Sequence, residues 1–376
     1  MIQSPNGVVI PRTVTLQLDQ GGFVLESGKT LPEVTVRYEM YGEINQAGDN
    51  VILLLHAFSG DAHAAGLHHD ADRYPGWWDD MIGSGNAFDT DRFCVICSNV
   101  LGGCQGTTGP GSTNPQTGQP WGMTFPVITI GDMVDVQYRL LRQIGVNTLY
   151  AVAGGSMGGM QALEWAVRFP DMVQRAVVLA STARLNAQGI AFNAVGRNAI
   201  VSDPAWNGGN YYDGPHPTRG LAIARMVGHI TYLSSESMRL KFGRRLQNAD
   251  GAKLDLEDQF AVESYLEYQG EKFVDRFDAN SYIYLTKAMD YFDLASSWGG
   301  LDAAMARTRS RFLVLSYTSD WLFPTDQSKE VVYALARAGK DVSFNEVVSP
   351  YGHDSFLLEA TLQRELIRAF LSGGTV

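Results

Sequence analysis

The stretch Gly154-Gly155-Ser156-Met157-Gly158 constrains this chain more than any other five residues. It matches the pattern G-x-S-x-G, in which a serine sits on a sharp turn between a strand and a helix. Its flanks supply that context. Residues 149–153 form a short apolar run of buried-strand character, and residues 160–169 read as a helix that stops at Pro170. Glycines surround the serine because the turn brings backbones together where a Cβ would collide. Such a turn holds the hydroxyl above a sheet edge, so the motif points to a serine nucleophile for acyl chemistry. Alone, it names neither the acyl group nor the acceptor.

Apolar, β-branched runs recur on both sides of this motif. Residues 51–55, 93–97, 176–180 and 312–316 each have the pattern of a buried strand, and 342–348 suggests a further one. Helical patterns at 130–145, 160–169 and 325–338 lie between them. Strands alternating with helices imply an α/β protein with a mainly parallel sheet covered on both faces. Residues 13–18 and 34–41 suggest an antiparallel start. The alternation fails over 186–300, where helix formers and aromatics dominate 219–233, 257–268 and 282–292. A helical insertion of this kind is expected to cap a core built from 1–185 and 301–376. No internal repeat or low-complexity linker divides the two.

Composition narrows the partners. The 376 residues carry 29 Lys and Arg against 40 Asp and Glu, a formal charge of −11. That balance argues against nucleic acid or an anionic membrane as the main partner, and an anionic substrate then needs a local cation. No apolar run is long enough to span a bilayer, and the N-terminus lacks the charged start and apolar core of a signal peptide. Cytoplasmic location is the expectation. Cys94 and Cys97 form a C-x-x-C, but they sit in a strand-like run with no second pair, where cysteine packs as a small apolar residue. His56, His63, His68 and His69 cluster loosely without H-E-x-x-H spacing, and an elbow serine needs no metal, so none is expected.

A serine hydroxyl needs a base, and the base needs an orienting acid. In chains with this elbow the order is Ser, Asp or Glu, then His. Asp320 follows the strand pattern 312–316, and His353 follows 342–348, each on a loop after a strand. The oxyanion hole is expected from two backbone N–H groups. One belongs to Met157, after the nucleophile; the other to Phe58, in the loop His56-Ala57-Phe58-Ser59-Gly60.

Several further motifs accompany this constellation: Leu55-His56-Ala57-Phe58-Ser59-Gly60-Asp61, Asn99-Val100-Leu101-Gly102-Gly103-Cys104-Gln105-Gly106, Gly220-Leu221-Ala222-Ile223-Ala224-Arg225-Met226, Arg276-Phe277-Asp278-Ala279-Asn280-Ser281-Tyr282 and Tyr351-Gly352-His353-Asp354-Ser355-Phe356. From about Leu16 to the C-terminus the chain resembles the homoserine O-acyltransferases of methionine biosynthesis, which adopt the α/β-hydrolase fold. The resemblance implies a ping-pong reaction through acyl-Ser156, with acetyl-CoA as co-substrate, L-homoserine as acceptor and no permanently bound cofactor. It also implies that Arg225 binds the homoserine carboxylate, that Asp354 binds its amine, and that the enzyme is a homodimer. Succinyl-using members tend to carry an arginine shortly after the triad aspartate. Leu322 stands there in this chain, which favours acetyl; a succinyltransferase of homoserine or serine, and more distantly a serine esterase, are the alternatives.

Overall fold

Five consecutive apolar residues at Val51–Leu55 have to be hidden on both sides, and the fold does so. Val51, Leu53 and Leu55 pack into one hydrophobic cluster while Ile52 and Leu54 pack into another, across the strand. That alternation follows from the two-residue period of a strand. The computed structural model describes residues 4, 6–69, 71–247, 256 and 259–373.

The first half of the chain supplies strands β1 (Arg12–Thr15), β2 (Phe23–Val24), β3 (Thr30–Leu31), β4 (Thr35–Tyr41), β5 (Val51–Leu55) and β6 (Cys94–Ser98). Helix α1 (Ile130–Gln143), strand β7 (Ala151–Gly155), helix α2 (Met157–Arg168) and strand β8 (Arg175–Leu179) follow. Helices α3 (Ala187–Val201), α4 (Thr218–Tyr232), α5 (Ser235–Lys241), α6 (Ala261–Val274), α7 (Ala279–Tyr291), α8 (Leu294–Ser297) and α9 (Leu301–Arg307) come next. The chain then returns through β9 (Arg311–Tyr317), α10 (Thr325–Arg337), β10 (Val342–Val347), α11 (Ser355–Leu358) and α12 (Ala360–Leu371).

One sheet of eight strands runs in the order β1-β4-β6-β5-β7-β8-β9-β10, and β2 pairs with β3 apart from it. β1, β4 and β6 meet antiparallel, and every pairing from β6 through β10 is parallel. Parallel strands align their carboxyl ends, and ligands bind at that edge. β5, β7, β9 and β10 therefore deliver the loops that carry Phe58, Ser156, Asp320 and His353 to one rim.

Two boundaries differ from the sequence expectation for one reason. β7 runs to Gly155 rather than ending at residue 153, because Gly154 and Gly155 still pair with Val178 and Leu179. α2 begins at Met157, three residues earlier than expected, its first turn closing on the Ser156 carbonyl through the Gly159 and Met160 N–H groups. Gly158 and Gly159 mask that turn, since glycine is a poor helix former. The helix expected over 257–268 is α6, which starts at Ala261; residues 257 and 258 lie outside the described ones. Helices α3, α5, α8 and α9 and the β2–β3 hairpin go beyond the individual elements expected from the sequence. Among the described residues, nothing between β8 and β9 joins the sheet, and no helix is long and apolar enough to cross a membrane.

The two cysteines of the C-x-x-C lie on β6 but face opposite ways, Cys94 in one apolar cluster and Cys97 in the other. Burial pushes the Cys94 thiol up to about 11, and the Cys97 thiol also rises. Three residues apart on a strand, they cannot share a ligand.

Candidate active site

Ser156 adopts φ 58° and ψ −124°, a conformation rare for a residue with a Cβ. Its neighbours hold it there. The Ser156 N–H donates to Leu179 O at 3.0 Å, and Ser181 Oγ donates to Ser156 O at 2.8 Å. A Cβ on Gly158 would strike the Leu55 carbonyl, and one on Gly154 would strike the Gly158 backbone. The glycines thus let β5, β7 and α2 approach closely enough to fix the turn.

His353 and Asp320 form a buried pair at 2.8 Å, Nδ1 to Oδ2. The other carboxylate oxygen of Asp320 accepts the N–H groups of Leu322 and Phe323, at 3.0 and 2.9 Å. Three donors hold the carboxylate in place, so the acid sets the tilt of the imidazole. The ring stacks on Phe323 at 4.9 Å and meets Phe356 edge-on at 5.5 Å. Phe356 also packs over Gly155, beside Ser156. Shared neighbours therefore bring the serine and the histidine to the same rim, although no hydrogen bond joins them among the described residues. Catalytic contacts of this kind often tighten only with substrate bound.

The Phe58 and Met157 N–H groups donate to no protein acceptor among the described residues, as an oxyanion hole requires. The loop carrying Phe58 is pinned by His56. Its Nε2 accepts the Val100 N–H at 3.1 Å, which leaves Nδ1 to donate to Ala57 O at 2.8 Å. Both bonds suit a neutral imidazole, and burial presses the His56 pKa below its ordinary value. The Phe58 ring packs on Phe277 and Tyr282, at 5.5 and 5.0 Å.

Two spaces lie on either side of Tyr232, and Ser156 lines the inner one. The inner one, about 50 Å³, is lined by Ser156, Phe58, Phe192, Leu322, Phe323 and Tyr232 among others, with no charged side chain. The outer one, about 600 Å³, holds Arg225, Arg276, Lys272, Asp61 and Asp354 in its walls and shares Tyr232 with the inner one. Arg225 lies over the rings of Phe273 and Tyr232, at 4.6 and 5.4 Å, and donates to Ser59 Oγ at 3.2 Å. Its Nε is buried without a partner among the described residues. The pairing of Arg225 with Tyr232, seven residues on along α4, is a same-face spacing that sequence reasoning left unused. Asp354 follows His353 on a short 3₁₀ turn. Burial pushes its carboxyl up to about 6, against the pull of His353 and Arg225.

That shift has a consequence for stability. Unfolded, the Asp354 carboxyl ionises near 3.8, so folding penalises the charged form, and the penalty grows across pH 4 to 6. Asp354→Asn is therefore expected to stabilise the protein by roughly 3 kcal/mol at pH 8 and by well under about 1 kcal/mol near pH 4. Urea unfolding at both pH values checks this.

The histidine cluster resolves into two parts. His56 serves the Phe58 loop. The His63 and His68 rings lie 3.8 Å apart, tilted by 37°, and bond to opposite oxygens of the buried Glu39, at 3.0 and 2.7 Å. Burial alone would raise the Glu39 pKa, but the bonds from His63, His68 and Tyr41 outweigh it and hold the carboxyl low. The three donor atoms lie within 4.8 Å of one another, close enough for a metal ion. Glu39 comes from β4, and no sequence spacing connects it to the two histidines. In this arrangement the trio ties the loop after β5 to β4.

An elbow serine at the carboxyl end of a parallel strand, with an Asp–His pair on two later strands of the same sheet, defines a protein of the α/β-hydrolase fold. A family description of that fold matches residues 50–360. The homoserine O-acetyltransferase of Methanococcoides burtonii is 56% identical, over 95% of this chain and 73% of its own length. The crystal structure of homoserine O-acetyltransferase from Bacillus anthracis superposes with a TM-score of 0.90 at 30% identity, covering 97% of this chain and 98% of that one. The crystal structure of esterase E22 superposes with a TM-score of 0.89 at 32% identity, covering 97% of this chain and all of that one. The chain belongs to the homoserine O-acetyltransferase family, a family of acyltransferases.

Proposed function

We propose that this enzyme moves an acetyl group from acetyl-CoA to the side-chain hydroxyl of L-homoserine, in the service of methionine synthesis. The observation that carries the reading is the outer pocket. It sets a guanidinium with a bare Nε and a carboxylate beside the serine rim, matching the two charged ends of an amino acid.

The geometry supports the following steps. Ser156 Oγ attacks the thioester carbonyl and passes its proton to His353 Nε2, while Asp320 holds the ring and steadies the imidazolium. The Phe58 and Met157 N–H groups take the oxyanion. The C–S bond breaks, and His353 returns the proton to the departing thiolate. The homoserine hydroxyl then attacks the acyl-Ser156 ester, giving its proton to His353. The C–Oγ bond breaks, Ser156 recovers the proton, and O-acetyl-L-homoserine leaves. Arg225 holds the carboxylate and Asp354 the ammonium, so the acceptor hydroxyl reaches the ester at a high effective concentration. Residues 186–300 act as a cap that keeps bulk water from competing. No permanently bound cofactor enters the scheme. We place the enzyme in the cytoplasm as a homodimer through the cap helices, a reading supported by exposed Ile190, Val195, Ile223 and Ile230 on α3 and α4.

The likeness to an esterase keeps hydrolysis as the second reading. A matrix of acetyl-CoA and succinyl-CoA against homoserine and serine, with products identified by mass, separates the readings. Acetyl release to water at the same rate with and without homoserine would sink the transferase assignment.

The uncharged inner space favours acetyl over succinyl, since a buried succinyl carboxylate needs a cation or several donors. Leu322→Arg is expected to raise the succinyl-to-acetyl ratio of kcat/KM about tenfold or more, the worth of one charge-assisted hydrogen bond. Competition assays with the two acyl-CoAs measure it, and an unchanged ratio removes the reason given for the acetyl preference.

A further inference from the structure

We infer that Arg276 is a second binding residue for the acceptor, forming with Arg225 a two-guanidinium seat for its carboxylate. The inference rests on the proposed amino-acid acceptor and extends it to a residue for which the reading above has no role.

Arg276 lies in the turn between α6 and α7 and lines the outer pocket with Arg225 and Asp354. The two arginines converge on the same groups. Arg225 stands 4.6 Å from the centre of the Phe273 ring, and Arg276 stands 5.3 Å from it. Both also grip one residue of the loop after β5. Arg225 Nη1 donates to Ser59 Oγ at 3.2 Å, and Arg276 Nη1 donates to Ser59 O at 2.9 Å. Among the described residues, neither guanidinium makes an ion pair, whereas Arg168, Arg197, Arg311 and Arg337 all do. Two like charges drawn together by one ring and one serine repel each other. An anion between them removes that repulsion and fills the unpartnered donor Arg225 Nε.

The position selects a carboxylate over a nucleotide phosphate. Ser59 follows Phe58, whose N–H faces the reacting carbonyl in the proposed mechanism. An anion held at Ser59 is thus a short amino acid's length from the ester. The phosphates of an acyl-CoA are separated from its thioester by the whole pantetheine arm. A fork of two guanidiniums also fixes the direction of a planar carboxylate, which one cation cannot do as well. Asp354 on the same wall then takes the ammonium.

The test uses Arg276→Gln and Arg276→Lys in the full-length enzyme. With homoserine, Arg276→Gln is expected to raise KM about 10- to 100-fold, in line with one charge-assisted hydrogen bond, with kcat within about threefold. Arg276→Lys recovers part of the loss, as a point charge without the fork. The burst of CoA released from acetyl-CoA before acceptor is added stays unchanged in both. With 3-aminopropan-1-ol, which keeps the hydroxyl and amine but lacks the carboxylate, wild type and Arg276→Gln react alike. Three results overturn the inference. A slower CoA burst in Arg276→Gln makes the residue a support for the Phe58 loop. A raised KM for acetyl-CoA with homoserine unaffected makes it a phosphate contact. An equal loss with aminopropanol removes the carboxylate from the account. If wild type gives no CoA burst at all, acetyl transfer fails as a reading, and calorimetry of homoserine on the resting enzyme still decides the seat. Binding about tenfold weaker in Arg276→Gln supports it, and equal binding overturns it.

Discussion

Ser156→Ala is expected to lower kcat by a factor of about 10⁵ to 10⁶ while the protein stays folded. The size follows from the role proposed for the residue: without Oγ the proposed acyl-enzyme cannot form, and only the proposed oxyanion donors and binding groups remain. Alanine is the right replacement because Ser156 Oγ makes no hydrogen bond to protein among the described residues, whereas its backbone is held by Leu179 and Ser181. Removing the hydroxyl leaves those anchors intact, and φ 58° is no worse for alanine than for serine. Intact-protein mass spectrometry after mixing with acetyl-CoA supplies the second readout. Wild type gains one acetyl group and the variant gains none. A variant that keeps the acetyl adduct and its rate would show that acyl transfer runs through another group.

Asp320→Asn is expected to cost about 10⁴ in kcat, with a small change in KM for either substrate. Asp320 Oδ1 accepts two backbone N–H groups, so an asparagine will turn its carbonyl oxygen towards them. Its NH₂ then faces His353 Nδ1, where Oδ2 stood at 2.8 Å. A donor there forces the proton onto Nε2, the nitrogen that accepts the serine proton in the proposed mechanism. The imidazole keeps its place and loses its function as base. Because the loss is one of tautomer, it eases at high pH less than a simple loss of charge would. A rate against pH profile for acyl-enzyme formation measures both the size and the shape. A loss smaller than about tenfold at neutral pH would show that Asp320 is not the orienting acid.

The legibility of this protein varies with the range of the interaction involved. Strands such as Val51–Leu55 and Cys94–Ser98 are readable because an unbroken apolar run must be buried on both faces wherever it lies. Ser156, Asp320 and His353 are readable because each follows a strand, and parallel strands send their ends to one rim. Glycine has the opposite effect on the reading. It betrays the tight turn at Gly154 and Gly158 but hides the start of α2, since its weak helix preference gives no sign that tertiary packing has overridden it. Arg225 is singled out as a candidate by resemblance, and its sequence context holds no trace of Phe273 or Ser59.

Residue order and hydrophobic pattern were enough to establish the layered α/β architecture, the serine turn and the placement of Ser156, Asp320 and His353 after strands of one sheet. These depend on local periodicity and on the rule that parallel strands share a rim. The tertiary structure alone decided which charges meet. Glu39 joins His63 and His68 from a distant strand, and Arg225 joins Arg276 across two helices through one phenylalanine and one serine. A charge on a helix or loop carries no local mark of its partner. Its environment is set by packing between segments far apart in the chain.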